Sequence, residues 1–233
     1  MKSDYYVLNH AGIKTPTLPP GYQLLQCGDA TPREWLSDAT GDNISEDNWY
    51  YCEMTGQYWA WKNTRGDNIG FCHYHRFLGD TNHIFSPEEI DELLKRYDIV
   101  LPYKWQCDST AAEHFARWHS RHMLDVLHRS VTEIAPEYSE AMHAVFQSPA
   151  FHICNIYFMR REVFDRYCEF VFPVLRRMKE CVVRNQADDQ RYGGFAAERL
   201  LNIWLRHQSE SVKIYETGMV IFDKSCYRHP HNP

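Results

Sequence analysis

Long hydrophobic runs are missing from this sequence: no segment approaches the ~20 consecutive apolar residues that a helix needs to cross a bilayer. The opening MKSDYYVLNHAG carries a charge at Asp4 and an apolar run too short for a secretory signal. A cytoplasmic protein is expected, one that meets a membrane-bound partner only peripherally, at the inner face of the cell membrane. Positive charge is also scarce. Lys and Arg number 25 against 31 Asp and Glu, a net charge of −6, which argues against the dense cationic surface of a sequence-independent nucleic-acid binder. Eight cysteines are dispersed with no Cys-x-x-Cys pair, a pattern of reduced thiols rather than of a disulfide framework or zinc ribbon. Gly-x-Ser-x-Gly, the Walker loop and the dinucleotide fingerprint are absent too, which counts against serine hydrolases, P-loop enzymes and dinucleotide-dependent oxidoreductases.

What is present suffices for one sizeable core, since 44% of the 233 residues are hydrophobic. A single domain over residues 1–225 with a flexible tail at 226–233 is expected. Aromatic residues make up 15% of the chain, which suits either an aromatic core or a site that stacks sugars and bases. Residues 5–8 and 22–25 read as strands. Tyr51, Met54, Tyr58 and Trp61 fall at helical spacing and predict one buried helix over 48–63. A strand follows over 68–74, and Ser86-Pro87-Glu88-Glu89 has the form of a capping box opening a helix. Further strands are predicted at 97–101, 151–159, 212–215 and 220–222, and helices at 111–129, from Pro136, at 161–181 and at 195–207. This alternation predicts an α/β fold with a mixed, mostly parallel sheet flanked by helices. Ligands of such sheets bind beyond the carboxyl ends of the strands, which directs attention to Asn9 and His10, to residues 73–76, to Pro102 and Tyr103, and to the turn after Met159.

The densest motif is NISEDNWYYCEMTGQYWAWKN at 43–63, followed by DNIGFCHYHRF at 67–77. APEY at 135–138, NIYFMRREVFDRYCEFVFPVL at 155–175 and RYGGFAAERLLNIWL at 191–205 extend the pattern. Together these segments resemble the bacterial family catalogued as domain of unknown function 4422, found in capsular and exopolysaccharide gene clusters and regarded as glycosyltransferase-like. The family pattern has Tyr-Cys-Glu-x-Thr-Gly-x-Tyr-Trp-x-Trp-Lys-Asn and then Ile-Gly-x-Cys-His-Tyr-Arg-Arg-Tyr. The resemblance spans nearly the whole chain. It implies the single-domain nucleotide-sugar-binding fold called GT-A, a nucleotide-sugar donor as co-substrate, a UDP-sugar of galactose type as the leading form, and a glycan or lipid-linked glycan acceptor.

This sequence departs from the pattern at His75, where the family has Arg. His73 and His75 at i and i+2 on a strand would point the same way and could hold a divalent metal, Mn or Mg, in place of the Asp-x-Asp that is not visible at this strand end. The other reading has His73, Tyr74 and Arg76 touch phosphate or sugar. Transfer leaves negative charge on the departing nucleoside diphosphate, so cations must face it. Arg76 and Lys62 are candidates, Lys62 equally suiting a solvated helix end. His10 is a further donor contact by position, and Asn155 is one by its similarity to the Asn that starts a strand and contacts the donor sugar in glycogenin-like and lipooligosaccharide galactosyltransferases, a structural turn role suiting it equally. The acceptor hydroxyl needs a carboxylate base: Glu198 by the family pattern, or Asp188 and Asp189 nearby. Glu53, in an apolar helix, needs a fixed partner such as His73 or Arg76 and with Arg191 reads as an orienting group. His114, His119, His122 and His128 lack a metalloprotease arrangement and read as a polar helix, and Trp105 could stack on a sugar or base. Two rivals stand beside the transferase: a non-catalytic nucleotide- or glycan-binding module of a polysaccharide assembly complex, and a His-based metallohydrolase.

Overall fold

Tyr5, Tyr6, Val7 and Leu8 are all buried, although successive side chains of a strand face opposite ways. The sheet that contains them is therefore covered on both faces. The computed structural model describes residues 2–10, 18–28, 35–81, 83–182 and 190–222, with His10 described by its main chain alone. Within them β1 (Ser3–His10) pairs in parallel with β2 (Gln23–Cys27) and β4 (Asn68–His73), and β2 with β3 (Leu36–Ser37). Beyond β4 lie β10 (Tyr157–Arg160), β7 (Ile99–Pro102) and β11 (Ile214–Thr217), giving the order 3-2-1-4-10-7-11. Only β10 on this path runs against its neighbours, so the sheet is mixed and mostly parallel. Strands β5 (Arg76–Asp80), β6 (His83–Ile84) and β12 (Met219–Ile221) extend it from β4, and β8 (Trp105–Gln106) forms a separate two-stranded ribbon with β9 (Ala150–Phe151).

One face, carrying Tyr6, Leu8, Phe71, Leu101 and Met159, is packed by α1 (Asn48–Tyr51), α2 (Met54–Asn63), α4 (Ala111–Trp118), α5 (Arg121–Ile134), α6 (Ser139–Phe146), α7 (Arg161–Lys179) and α8 (Tyr192–His207). The other face, with Tyr5, Val7, Val100 and Phe158, is packed by α3 (Pro87–Leu94). Each large apolar side chain taken out of water contributes about 1.5–3 kcal/mol. The capping box read from the sequence is present at α3: Ser86 Oγ accepts from Glu89 N–H, and Glu89 Oε2 accepts from Ser86 N–H.

Four elements differ from expectation, and each difference shapes the site. The helix over 48–63 is broken at Cys52, whose φ of 52° cannot continue a right-handed helix; Glu53 thereby becomes the N-cap residue of α2. The strand over 151–159 is split, because Cys154 and Asn155 take φ of 76° and 48° and turn the chain before β10. The His-rich helix is two helices, parted at His119 and Ser120, where the Ser120 hydroxyl caps α5 by accepting from Met123 N–H. Finally, β4 ends at His73, and Tyr74 and His75 form the turn into β5. His75 is thus not on a strand with His73, and the alternation that would have aligned the two rings does not apply.

Candidate active site

The carboxyl ends of β1, β4 and β7 lie on one edge of the sheet, and because β10 is antiparallel, the turn that precedes it lies there too. Cys154 and Asn155 make that turn. Consecutive non-glycine residues in the left-handed region cost about 1–3 kcal/mol each, and here side chains from two helices hold them. Glu198 Oε1, from α8, accepts the Cys154 N–H at 2.7 Å. Gln57 Nε2, from α2, donates to the Asn155 carbonyl at 3.0 Å while its Oε1 accepts from Tyr157 OH at 2.6 Å. Asn155 Nδ2 donates to Glu53 Oε1 at 2.8 Å and to the Gly194 carbonyl at 3.0 Å. Those two acceptors fix the amide's orientation, and Asn155 Oδ1 is left buried without a hydrogen-bond partner among the described residues.

Glu53 is therefore oriented by Asn155, not by His73 or Arg76 as the sequence suggested. Its placement follows from the break at Cys52, and Gly194 lets α8 approach that break, since a Cβ there would lie 3.1 Å from Cys52 Cβ. Glu198 also accepts from Arg199 Nη1 at 2.7 Å, with side-chain exposures of 18% for Glu198 and 1% for Arg199. This is a nearly dry pair rather than a surface one. Burial raises the Glu198 pKa above the ordinary carboxylate value, Glu53 adds to the rise, and Arg199, the Cys154 N–H and Arg76 oppose it. Arg199 Nη2 is 2.7 Å from His114 Nδ1; a guanidinium only donates, so His114 Nδ1 accepts and its ring carries a proton on Nε2. Within the region read as a polar helix, His122 and His128 are exposed and His114 is buried, at 5% exposure. His119 stacks on Phe195 with ring centroids 3.9 Å apart.

On the adjacent strand, His73 Nε2 is buried with no hydrogen-bond partner among the described residues. Burial, reinforced by the positive charges of Arg76 and Arg191, lowers its pKa from 6.5 to about 3, so the ring is neutral at physiological pH. The unfolded chain binds this proton below pH 6.5 and the folded chain does not. Its stability contribution is thus complete above pH 6.5 and is lost toward pH 3, at about 1.4 kcal/mol per pH unit. Between pH 6.5 and 5 the wild type should lose about 2 kcal/mol more than a His73→Gln variant, measured as urea unfolding free energies. Equal losses would refute the buried neutral imidazole.

Arg76 opens β5 close enough to act on His73, Cys154 and Glu198. Arg191, the left-handed N-cap residue of α8 with φ of 67°, acts on His73 and Cys52. His73, Arg76, Asn155, Glu53, Arg191 and Glu198 are thus brought together, with Tyr74 in the adjoining turn. His10 ends β1 on the same edge through its main chain, and Asp188 and Asp189 lie outside the described residues. Lys62 is not brought in. It lies near the other end of α2, its Nζ 3.3 Å from the Trp61 ring centroid, next to the segment where Gly66 N–H donates to Asp4 at the start of β1. Trp59 is core, and Trp61 stacks on Phe172.

The rings of His73 and His75 are 6.4 Å apart and inclined at 58°, and among the described residues no three His, Cys, Asp or Glu side chains are grouped to hold an ion. Sequence reasoning missed Gln57, Arg199 and His114. The spacing of Glu198 and Asn202, four apart on one helix face, was the legible clue to a polar layer, for Asn202 Nδ2 donates to the Glu198 carbonyl and to that of His152.

Comparison with known proteins agrees with this architecture. The apo structure of WbbM, a bifunctional glycosyltransferase, superposes with a TM-score of 0.85 at 27% identity, over 96% of this chain and 46% of that one. The chain thus spans about half the length of that protein. No curated protein matches it in sequence. The family model described as domain of unknown function DUF4422 matches residues 4–209, and the chain belongs to that family.

Proposed function

We propose that this protein is a glycosyltransferase that moves a sugar from a nucleoside diphosphate sugar to a hydroxyl of a glycan or lipid-linked glycan in capsule, exopolysaccharide or O-antigen synthesis. A UDP-sugar of galactose type is the leading donor. The observation that carries this reading is the pair of buried polar atoms without partners among the described residues, Asn155 Oδ1 and His73 Nε2, at the ends of adjacent strands and beside two arginines. Leaving buried polar groups unpaired costs about 1–3 kcal/mol each, and a sugar bearing hydroxyls satisfies both. Arg76 and Arg191 face the diphosphate, whose charge grows as the bond to the anomeric carbon breaks. The acceptor oxygen bonds to that carbon, the diphosphate oxygen departs with the bonding pair, and the hydroxyl proton passes to Glu198. Family membership and the likeness to WbbM support the same class of reaction.

The test is a thermal-shift screen against UDP, GDP, CMP and their sugar conjugates, with and without manganese. A hundredfold excess over the dissociation constant stabilises by ~2.7 kcal/mol, roughly 5–10 °C for a chain of this size. UDP should give that shift, and Arg76→Ala should reduce it. A shift that needs manganese would mean that the ion rides on the phosphates. Stabilisation by UDP-sugar with neither transfer nor hydrolysis would instead support the non-catalytic binding module. Stoichiometric zinc with no nucleotide effect would favour the metallohydrolase.

A further inference from the structure

Beside the Cys154–Asn155 turn, on the same edge of the sheet, a second polar group is built with equal care and has no part in the donor site. His152 is buried, with 2% side-chain exposure, and its Nε2 lies 2.7 Å from Glu216 Oε1 on β11. Asn202 orients the ring. Its Nδ2 donates to two carbonyls, so its Oδ1 is the atom that accepts from the His152 main-chain N–H at 2.9 Å and faces Nδ1 at 3.1 Å. Nδ1 therefore carries a proton, and the short contact of Nε2 with a carboxylate requires another between them. Glu216 is thus pinned through one oxygen while 36% of its side chain stays exposed.

Two exposed aromatic residues lie on segments that adjoin Glu216 and His152 in the fold. Tyr103 N–H donates to the Thr217 carbonyl, one residue from Glu216, and Tyr103 is 64% exposed. Trp105 pairs across the ribbon with Phe151, the neighbour of His152. The indole is held at near-right angles to Phe151 and His114, with centroids 5.6 and 5.2 Å away, yet it is 41% exposed. A fixed, exposed indole and an oriented carboxylate supply together the chemistry that recognises a sugar ring: its apolar C–H face lies on the aromatic and its hydroxyls donate to the carboxylate. The platform also abuts the candidate base, because His114, under Trp105, is joined to Glu198 through Arg199.

We propose that Trp105, Tyr103 and Glu216, backed by His152, form the subsite that holds a neutral sugar ring of the acceptor glycan. This rests on the glycosyltransferase reading, and the experiment separates the two. Saturation-transfer NMR with methyl galactopyranosides and methyl glucopyranosides, in the presence of UDP, is run on the wild type, Trp105→Ala and Glu216→Gln. The wild type should transfer saturation to ring protons of at least one glycoside. Each variant should weaken that binding about tenfold or more, as expected for loss of a charged hydrogen bond or an aromatic platform, while thermal stabilisation by UDP stays unchanged. Variants that bind glycosides as the wild type does, or a wild type that binds none of them, would overturn the subsite. Glycoside binding that depends on Trp105 and Glu216 without any nucleotide effect would retain the subsite and overturn the donor reading.

Discussion

Glu198→Gln should lower the rate of sugar transfer about 10²–10⁴-fold, the usual contribution of a positioned general base, while UDP still stabilises the fold. The carboxylate is suited to that work on two counts. Burial raises its affinity for a proton, and the Cys154 N–H and the Arg199 guanidinium hold both of its oxygens in place at 2.7 Å. The acceptor proton must find Glu198 ionised, so the wild-type rate should climb as pH rises through a pKa above the ordinary 4.5. The Gln variant should lose that limb of the profile. If Glu198 served only to hold the left-handed turn, its replacement would displace Asn155 too, and UDP stabilisation would fall together with the rate. Loss of rate with donor binding intact separates proton transfer from scaffolding. Loss of both, or of neither, would remove Glu198 from the chemistry.

The elements of this fold were largely legible because burial on both faces writes itself into composition: Tyr5 to Leu8 is an unbroken apolar run for that reason. The site was legible in outline, through the rule that α/β ligands gather at strand ends, which pointed to His73 and Arg76 on the edge of the candidate site; the same rule pointed to the turn after Met159, which antiparallel β10 carries to the opposite edge. What stayed hidden was everything that depends on a backbone departing from its local propensity. Nothing in YYCEMTG marks Cys52 as left-handed, and without that break Glu53 reads as lying inside a helix with no natural partner. Cys154 and Asn155 likewise read as strand, because the groups that hold the turn, Gln57 and Glu198, are 98 and 44 residues away from the atoms they bind. Lys62 failed for the opposite reason. Its neighbourhood in sequence is the densest motif of the chain, but a ten-residue helix carries it from the site toward the far edge of the sheet, about 15 Å at 1.5 Å per residue.

Arg199→Met should cost about 3–5 kcal/mol of stability at neutral pH, because it leaves the Glu198 charge buried with the Cys154 N–H as its remaining hydrogen bond among the described residues. For a chain of this length that is roughly a 6–20 °C drop in unfolding midpoint. Met keeps much of the volume packed between Phe115 and Phe151, whose ring centroids lie 5.3 and 5.0 Å from the guanidinium carbon, so the loss reports charge rather than a cavity. Two further measurements make the cause explicit. In the variant, Glu198 binds a proton in the folded chain more tightly than in the unfolded one, so the defect should shrink as pH falls and level off below 4.5, where both states are protonated. Adding Glu198→Gln to Arg199→Met should recover part of the lost stability, since the buried charge is then gone, and the double-mutant cycle gives the coupling directly. A defect unchanged by pH and by the second substitution would assign Arg199 to packing alone. It would also break the link from His114 through Arg199 to Glu198, on which the placing of the Trp105 platform beside the candidate base depends.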